Sequence, residues 1–582
     1  MKKGILWLLV FALAASVMLP GCKRAETQTA LPYDNQIHPE ADQGYISELF
    51  YRNDLGTTAP DPCVIQITDP DSTEYGYYYL YGTTDPTIGF RAYRNRDLTG
   101  PWEDMTPSMN YLAYYAQPGD FGYGNGNYWA PEVIYDAEND LYYMFFTGSD
   151  GGSNRSIGLA VAEEPYGPFR PAGKDFSKPL LDNEKMLEVS GQDSDWFRCI
   201  DPHPYVAPDG SKYLYFVSEF SDGATTSSVA CVKMKSWLEP DYESFARMTR
   251  SNYYTVDGNW TDPSGSAKPD YESGSIINEG PYVYDRRNDD GSYTYYLCFS
   301  VNGYADKSYS VIQAVADDPM GPYRKLTEEE GGILLSTDWQ KFDHLSGTGH
   351  HSFVEVDDDL FIVYHEHVAR ETGGLGPRDV AVDRVKIVKN ENGDEVLYCN
   401  GPTWSLQPRI EKYSGYKNLA EIADVSVSSG VNAEALTDGL LSIYTDNTFV
   451  KEFEANKTVT ITLSFAEYQE ISAIMIYNSK VFNNSFVDIK RIEFDFMEGE
   501  NKGTAYIENL AFDWDFYKMA SINEMRPGGS AVAVFNPLQC NEIRITVELP
   551  KTRPEGLEIM DDEGYFITQT KVAISEIVVL GT

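Results

Sequence analysis

Five short stretches place chemistry-bearing residues at the head of an aromatic or apolar run. They are "APDPCVIQI" with Asp61, "YWAPEVIYD" with Trp129 and Glu132, "IDPHPYVAPDG" with Asp201, "INEGPYVYD" with Glu279, and "GTGHHSFVE" with His350 and His351. Carboxylates that converge on one cleft can cut a glycosidic bond: one, ionised, activates water, and another, protonated, gives its proton to the departing oxygen. A third carboxylate nearby keeps the acid protonated, because like charges resist joint ionisation. Residue type and spacing alone are no signature, since an Asp-Pro pair is also an ordinary turn. The chemistry depends on whether the chain brings residues 61, 201 and 279 together.

A repeat does so. One strand recurs as "YYLYGTT" at 78–84, "YYMFFTG" at 142–148, "KYLYFVS" at 212–218, "YYLCFSV" at 295–301 and "LFIVYHE" at 360–366. Counted on Tyr79, Tyr143, Tyr213, Tyr296 and Phe361, the steps are 64, 70, 83 and 65 residues. A Gly-Pro element recurs near Gly100, Gly167 and Gly321. Each unit is long enough for a four-stranded antiparallel sheet, and radial repetition of such sheets makes a β-propeller. The runs are rich in Tyr, Val, Ile and Phe and bounded by Gly, Pro, Asp and Asn, which disfavours helical repeats. Residues 50–412 therefore read as a five-bladed β-propeller. In that fold the innermost strand of each blade lines the axis, and its entry residues converge on one face. After a junction at 413–417, residues 418–582 read as a second all-β unit, with alternating strands at sandwich spacing such as "KTVTITLSF", "ISAIMIYNS" and "CNEIRITVEL".

Composition narrows the partners. The formal net charge is −43, from 89 acidic and 46 basic residues, and such a field repels phosphate backbones, so nucleic acid is excluded as a partner. Residues 1–22, "MKKGILWLLVFALAASVMLPGC", read as a bacterial export signal ending in a lipobox, with Cys22 the lipidated residue and 23–49 a linker. This predicts an exported lipoprotein of the outer membrane, on its periplasmic or outer face, touching the membrane only through its N-terminal lipid. The six other cysteines are scattered without a Cys-x-x-Cys pair, so they imply no zinc site and predict no disulfide.

Residues 58–412 resemble glycoside hydrolase family 43. The resemblance rests on "DPCVI", "YWAPEV", "IDPHPYVAPDGSKYLYF", "NEGPYVY…YYLCFS", "GTGHHSFVEV" and "YHEH…GPRDVAVDRVKI", in that order. It implies a five-bladed, inverting enzyme in which Asp61 is the general base, Glu279 the general acid and Asp201 the residue that tunes and orients the acid. Inverting geometry implies that the Asp61 and Glu279 carboxyls lie roughly 6.5–9.5 Å apart. His350 matches an axial histidine that meets a calcium ion or water in the channel, or else only hydrogen-bonds there. A structural calcium is the one metal implied, and no cofactor is required. Arg378 matches an arginine reaching the substrate or the acid's surroundings, and His351 is a further substrate-side candidate. Trp129 either walls the sugar pocket or packs its blade, and Glu132 has no assignable role. The connections at 181–200 and 245–276 are long for this family, and long loops on an active face reshape specificity.

The expected substrate is a plant polysaccharide or oligosaccharide containing arabinose or xylose, cut by an exo-acting α-L-arabinofuranosidase or β-xylosidase. An exo-galactanase, an endo-arabinanase and a non-catalytic glycan-binding lipoprotein are the alternatives. Residues 418–582 resemble discoidin or coagulation-factor 5/8 type C domains through "NLA…ADVSVSS", "LTDG", "ISAIMIYNS" and "ISEIVVLG", which implies a jelly-roll sandwich that either binds sugars or serves as a structural companion.

Overall fold

The computed structural model describes residues 35–39, 43–106, 111–117, 120, 127–149, 154–173, 178–221, 225–253, 269, 271–272, 276–337, 345–368, 376–403, 405–441, 448–453, 458–479, 481–512, 529–550, 552–553, 558–561 and 563–582. The expected export signal, with Cys22, lies outside these residues, as does most of the 245–276 connection. No described helix is long and apolar enough to cross a membrane.

Five antiparallel sheets follow one another along the chain, each built from consecutive strands except the first, where Gly89–Phe90 leaves the blade to pair with Tyr114–Tyr115. The innermost strands are Cys63–Gln66, Trp129–Asp136, Phe197–Val206, Asn278–Arg287 and Leu345–Val356. Each pairs with a second strand carrying the repeated motif: Tyr78–Tyr81, Leu141–Ser149, Lys212–Ser221, Tyr293–Val301 and Asp359–Val368.

The second strands show why the repeat is apolar on both sides. Successive side chains of a strand face opposite ways, and here both ways are inward. Tyr79 and Tyr81 pack with Met144 and Phe146 of the second blade, whereas Tyr78 and Leu80 pack with Phe361 and Val363 of the fifth. Phe145 meets Leu214 and Phe216, Tyr215 meets Leu297 and Phe299, and Cys298 meets Ile362 and Tyr364. Five interblade clusters thus close a ring, and each fully buried Leu or Phe contributes about 1.5–3 kcal/mol.

The ring is fastened by the segment that precedes it. The outer strand of the fifth blade, Glu395–Cys399, pairs with Val385–Lys389 and leaves the first half of the third strand, Arg378–Lys389, as an open edge. Residues 51–58 cover that edge. Val380 N donates to Thr57 O at 2.9 Å, Val382 N donates to Asn53 Oδ1 at 2.9 Å, and the Tyr51 hydroxyl donates to Val382 O at 3.0 Å. Asn53 Nδ2 also reaches Asp383 Oδ2 at 3.0 Å and Thr403 O at 2.9 Å.

After the helix Glu411–Ser414, an eight-stranded sheet begins at Lys417–Asn418. Its two long strands, Thr458–Asn478 and Ser530–Glu548, pass through bulges, and their halves pair with different neighbours. The sheet bends over a core that includes Ile461, Leu463, Ile474, Ile476, Ile543 and Ile545. This unit is packed against the propeller: Leu49 and Phe50 are buried with Met475, Tyr477, Val578 and Leu580, and the Tyr477 hydroxyl donates to Leu406 O at 2.6 Å.

Replacing Asn53, which is 1% exposed, strands buried partners on both sides of the clasp. Asn53→Ala is expected to lower unfolding stability by about 3 kcal/mol, read as a shifted midpoint in urea unfolding followed by tryptophan fluorescence.

Candidate active site

Each innermost strand enters through a kink. Asp61, Ala130, Asp201, Gly280 and His350 have φ of 55°, 47°, 50°, 55° and 45°, a left-handed backbone that costs an ordinary residue about 1–2 kcal/mol. In the second to fifth blades the ladder slips register at this point, as in a β-bulge. Proline follows in four blades, at Pro62, Pro131, Pro202 and Pro281, and His351 in the fifth.

The kink turns the N–H of the bulged residue toward a neighbouring blade, where a side chain receives it. Ala130 N donates to Thr83 Oγ1 at 2.8 Å, Asp201 N to Thr147 Oγ1 at 2.9 Å, and His350 N to Ser300 Oγ at 2.8 Å. Asp61 N donates to His365 Nδ1 at 3.2 Å, and Gly280 N donates to the Asp201 carboxylate at 3.2 Å. The strain is thereby offset by bonds that also lock blade to blade.

The candidate residues do not all occupy the same place in their blades. Asp61 and Asp201 occupy the kink itself, but the fourth blade has Gly280 there, and Glu279 stands one residue earlier, where the second blade has Trp129. Glu132 is two residues beyond the kink and sits a layer deeper, with Oε2 3.6 Å from His203 Nδ1.

A cavity of about 470 Å³ opens over the kinks. Asp61, Trp129, Asp201, Glu279, His350 and Arg378 all line it. His351, expected on the substrate side, does not: it is 1% exposed, packed against Phe353 and Tyr282, because the next residue along a strand points to the other side. The cavity also includes residues that the sequence reading missed: Thr83, Arg155, Glu219 and Tyr304. Thr83 carried a signal, since it ends the repeated strand as Thr147 and Ser300 do. Arg155 and Glu219 carried none. At the rim, His367 sits between the carbonyls of Tyr304, 2.8 Å from Nε2, and Gly376, 3.2 Å from Nδ1, tying together the loops that flank Arg378.

The carboxyls are in different electrostatic states. Burial alone would raise Asp61, but Arg378 Nη1 at 2.7 Å and the Thr83 hydroxyl at 2.6 Å outweigh it and hold the carboxyl well below its usual range. Glu279 has no such cation in contact. Burial pushes it up to about 7, the charges of Asp61 and Glu219 add to the shift, and the facing Tyr309 hydroxyl and Arg378 oppose it. Asp201 is raised by burial and then by Glu279 and Asp61. Burial also lowers His350, whose Nδ1 is 3.4 Å from Asp61 Oδ1 and 4.0 Å from Asp201 Oδ2. One carboxyl held low thus faces two that are pushed up, the separation that general acid–base cleavage requires.

Calcium takes six to eight oxygen ligands; among the described residues no three His, Cys, Asp or Glu side chains are grouped to hold a metal ion, and His350, the residue expected to meet a calcium ion or water, lines the cavity with Nδ1 3.4 Å from Asp61 Oδ1.

The sequence model of the family described as Glycosyl hydrolases family 43 matches residues 57–392. That is more than half of the chain, and the chain belongs to this family. A beta-D-galactofuranosidase of Aspergillus niger is 26% identical over 282 residues, covering 47% of this chain and 65% of that protein. A xylosidase/arabinosidase of Bacteroides ovatus is 22% identical over 264 residues, 42% of this chain and 67% of that protein. The chain thus spans about two thirds of the length of these curated relatives. The solved structure of a thermostable family-43 glycoside hydrolase aligns with TM-score 0.47 and 29% identity, over 62% of this chain and 98% of that one.

A Cβ at position 280 would come 3.0 Å from His350 Cγ, at φ +55°. Gly280→Ala is expected to cost about 1–2 kcal/mol, seen as a lower melting temperature. The loss stays moderate because Ala130 already adopts the same backbone.

Proposed function

We propose that the protein is an inverting exo-glycosidase that releases a terminal sugar from plant polysaccharide side chains or oligosaccharides, with α-L-arabinofuranosides and β-D-xylosides as the leading substrates. The observation that carries this reading is one cavity in which Asp61 is paired with Arg378 and held low while Glu279 is buried and pushed up to about 7. Asp61 takes a proton from a water molecule as the water oxygen bonds to the anomeric carbon. The glycosidic C–O bond breaks with its electron pair going to the leaving oxygen, which receives the Glu279 proton. The freed sugar carries the inverted anomeric configuration. Asp201, whose Oδ2 accepts from Gly280 N next to the acid, orients Glu279, while burial and the charges of Asp61 and Glu219 favour its protonated form. Arg378 holds Asp61 ionised, and Trp129 offers an aromatic wall to the glycone.

The cavity volume is at the small end of ligand pockets, which supports exo action on one terminal residue. The names of the relatives, a galactofuranosidase and a xylosidase/arabinosidase, support a furanose or pentose glycone and add β-D-galactofuranosides to the substrates to be tried. An exported, lipid-anchored enzyme follows from the sequence of residues 1–22, and the C-terminal sandwich is read as discoidin-like. Its turn at 561–565 exposes Tyr565 and Phe566, 66% and 69% accessible, which suits contact with a polysaccharide.

Two outcomes are expected. Glu279→Gln lowers kcat on natural oligosaccharides by about 10²–10⁴-fold and much less on aryl glycosides, whose leaving groups need little acid. Wild-type kcat/KM falls as pH rises through about 7, because Glu279 must be protonated. Product anomers followed by proton NMR test the stereochemistry; retention would overturn the mechanism.

A further inference from the structure

The mechanism leaves one charged pair in the cavity without a role. Glu219, near the end of the third blade's second strand, places Oε2 3.2 Å from Arg155 Nη1 of the second blade. The guanidinium carbon of Arg155 lies 5.2 Å from the centre of the Trp129 ring. Both side chains line the cavity, 14% exposed for Glu219 and 28% for Arg155. Glu219 Oε1 has no protein hydrogen-bond partner among the described residues, so the pair offers the cavity a free acceptor beside guanidinium donors and an indole.

Arg155 is held by the long connection between the second and third blades. The connection at 181–200 contains the helix Asn183–Ser190, capped by Asp182, whose carboxylate accepts from Glu184 N and Lys185 N. Asn183 Nδ2 donates to Arg155 O at 2.8 Å, the Ser156 hydroxyl donates to Leu181 O at 2.7 Å, and Leu180 N donates to Ile157 O at 2.7 Å. Met186 is fully buried in the apolar cluster between the second and third blades. The insertion is thus a brace for the strand start that carries Arg155.

We propose that Glu219 and Arg155 form the glycone-recognition pair of this enzyme, the carboxylate accepting from one sugar hydroxyl and the guanidinium donating to its neighbour. This rests on the glycosidase reading above. A vicinal diol against Trp129 is the chemistry that fits, and a carboxylate–hydroxyl bond is worth more than a neutral one. Geometry gives the pair a second effect. Glu279 is faced by Asp61 from the first blade, Asp201 and Glu219 from the third, Tyr309 from its own, and His350 and Arg378 from the fifth. Of these, Glu219 is the acid whose charge is matched by a cation outside the catalytic set. Removing either partner therefore changes the field at Glu279 in opposite senses.

The test uses the full-length protein with p-nitrophenyl α-L-arabinofuranoside, β-D-xylopyranoside and β-D-galactofuranoside, together with calorimetric binding of arabinose, xylose and galactose. Glu219→Gln is expected to raise KM and weaken sugar binding by about tenfold or more, and to move the alkaline limb of kcat/KM to lower pH. Arg155→Met is expected to raise KM and move that limb to higher pH. Glu219→Asp keeps the charge and leaves the limb in place. Opposite limb shifts report the field of the pair at Glu279, whereas weakened sugar binding in Glu219→Gln is the outcome that a merely structural pair does not give. Wild-type turnover with KM and sugar binding unchanged in Glu219→Gln overturns the proposal, whatever the limb does. Sugar binding that is lost in Glu219→Gln, with no turnover by wild type, upholds the pair and overturns the glycosidase reading. Neither turnover nor binding by wild type overturns both.

Discussion

The kink at the head of each innermost strand is the constraint on which the rest depends. A left-handed residue inside a ladder is unfavourable unless its misdirected N–H finds a partner. Here partners come from neighbouring blades: Thr83, Thr147, Ser300, His365 and, for Gly280, Asp201 itself. One set of bonds therefore stabilises the ring and aims the side chains. In the fourth blade the two tasks merge, because the acceptor of the structural bond is also a residue of the site.

The cavity's electrostatics follow from a shortage of cations. Four carboxyls line it, Asp61, Asp201, Glu219 and Glu279, with two arginines. Each arginine contacts one carboxylate, Arg378 with Asp61 and Arg155 with Glu219. Asp201 and Glu279 are left in a buried, negative field that raises both. The carboxyls are thus set apart by which of them has a guanidinium in contact, and not by residue type, since Asp61 and Asp201 occupy equivalent positions in their blades.

Much of this was legible in the sequence, because the second strands bury both faces and so repeat as unbroken Tyr-rich runs. Those runs placed five blades and pointed to Asp61, Asp201 and Glu279. The finer register was hidden by the bulge. The prolines at 62, 131, 202 and 281 align the kinks and put Gly280, one residue after Glu279, level with Asp61 and Asp201. His351 was misjudged for the same reason, as one residue of slip changes sides. Arg155 and Glu219 were invisible because they lie at strand ends in two blades, outside any repeated motif, and meet only when the ring closes. The six cysteines read without pairing are buried free thiols in the structure.

The clasp at residues 50–58 has a consequence for the order in which the protein can be made. These residues leave the ribosome early, yet Tyr51 bonds to a residue 331 positions later, and Phe50 is covered by strands of the C-terminal unit. The first blade can form its sheet while the chain is still growing, but its flank facing the fifth blade must wait for Phe361 and Val363. An apolar edge is therefore exposed for most of synthesis, which is the circumstance in which β-rich chains associate wrongly. That wait ends only when the last strands are available, so the clasp favours a propeller that closes as a whole and once, with the C-terminal unit already in hand.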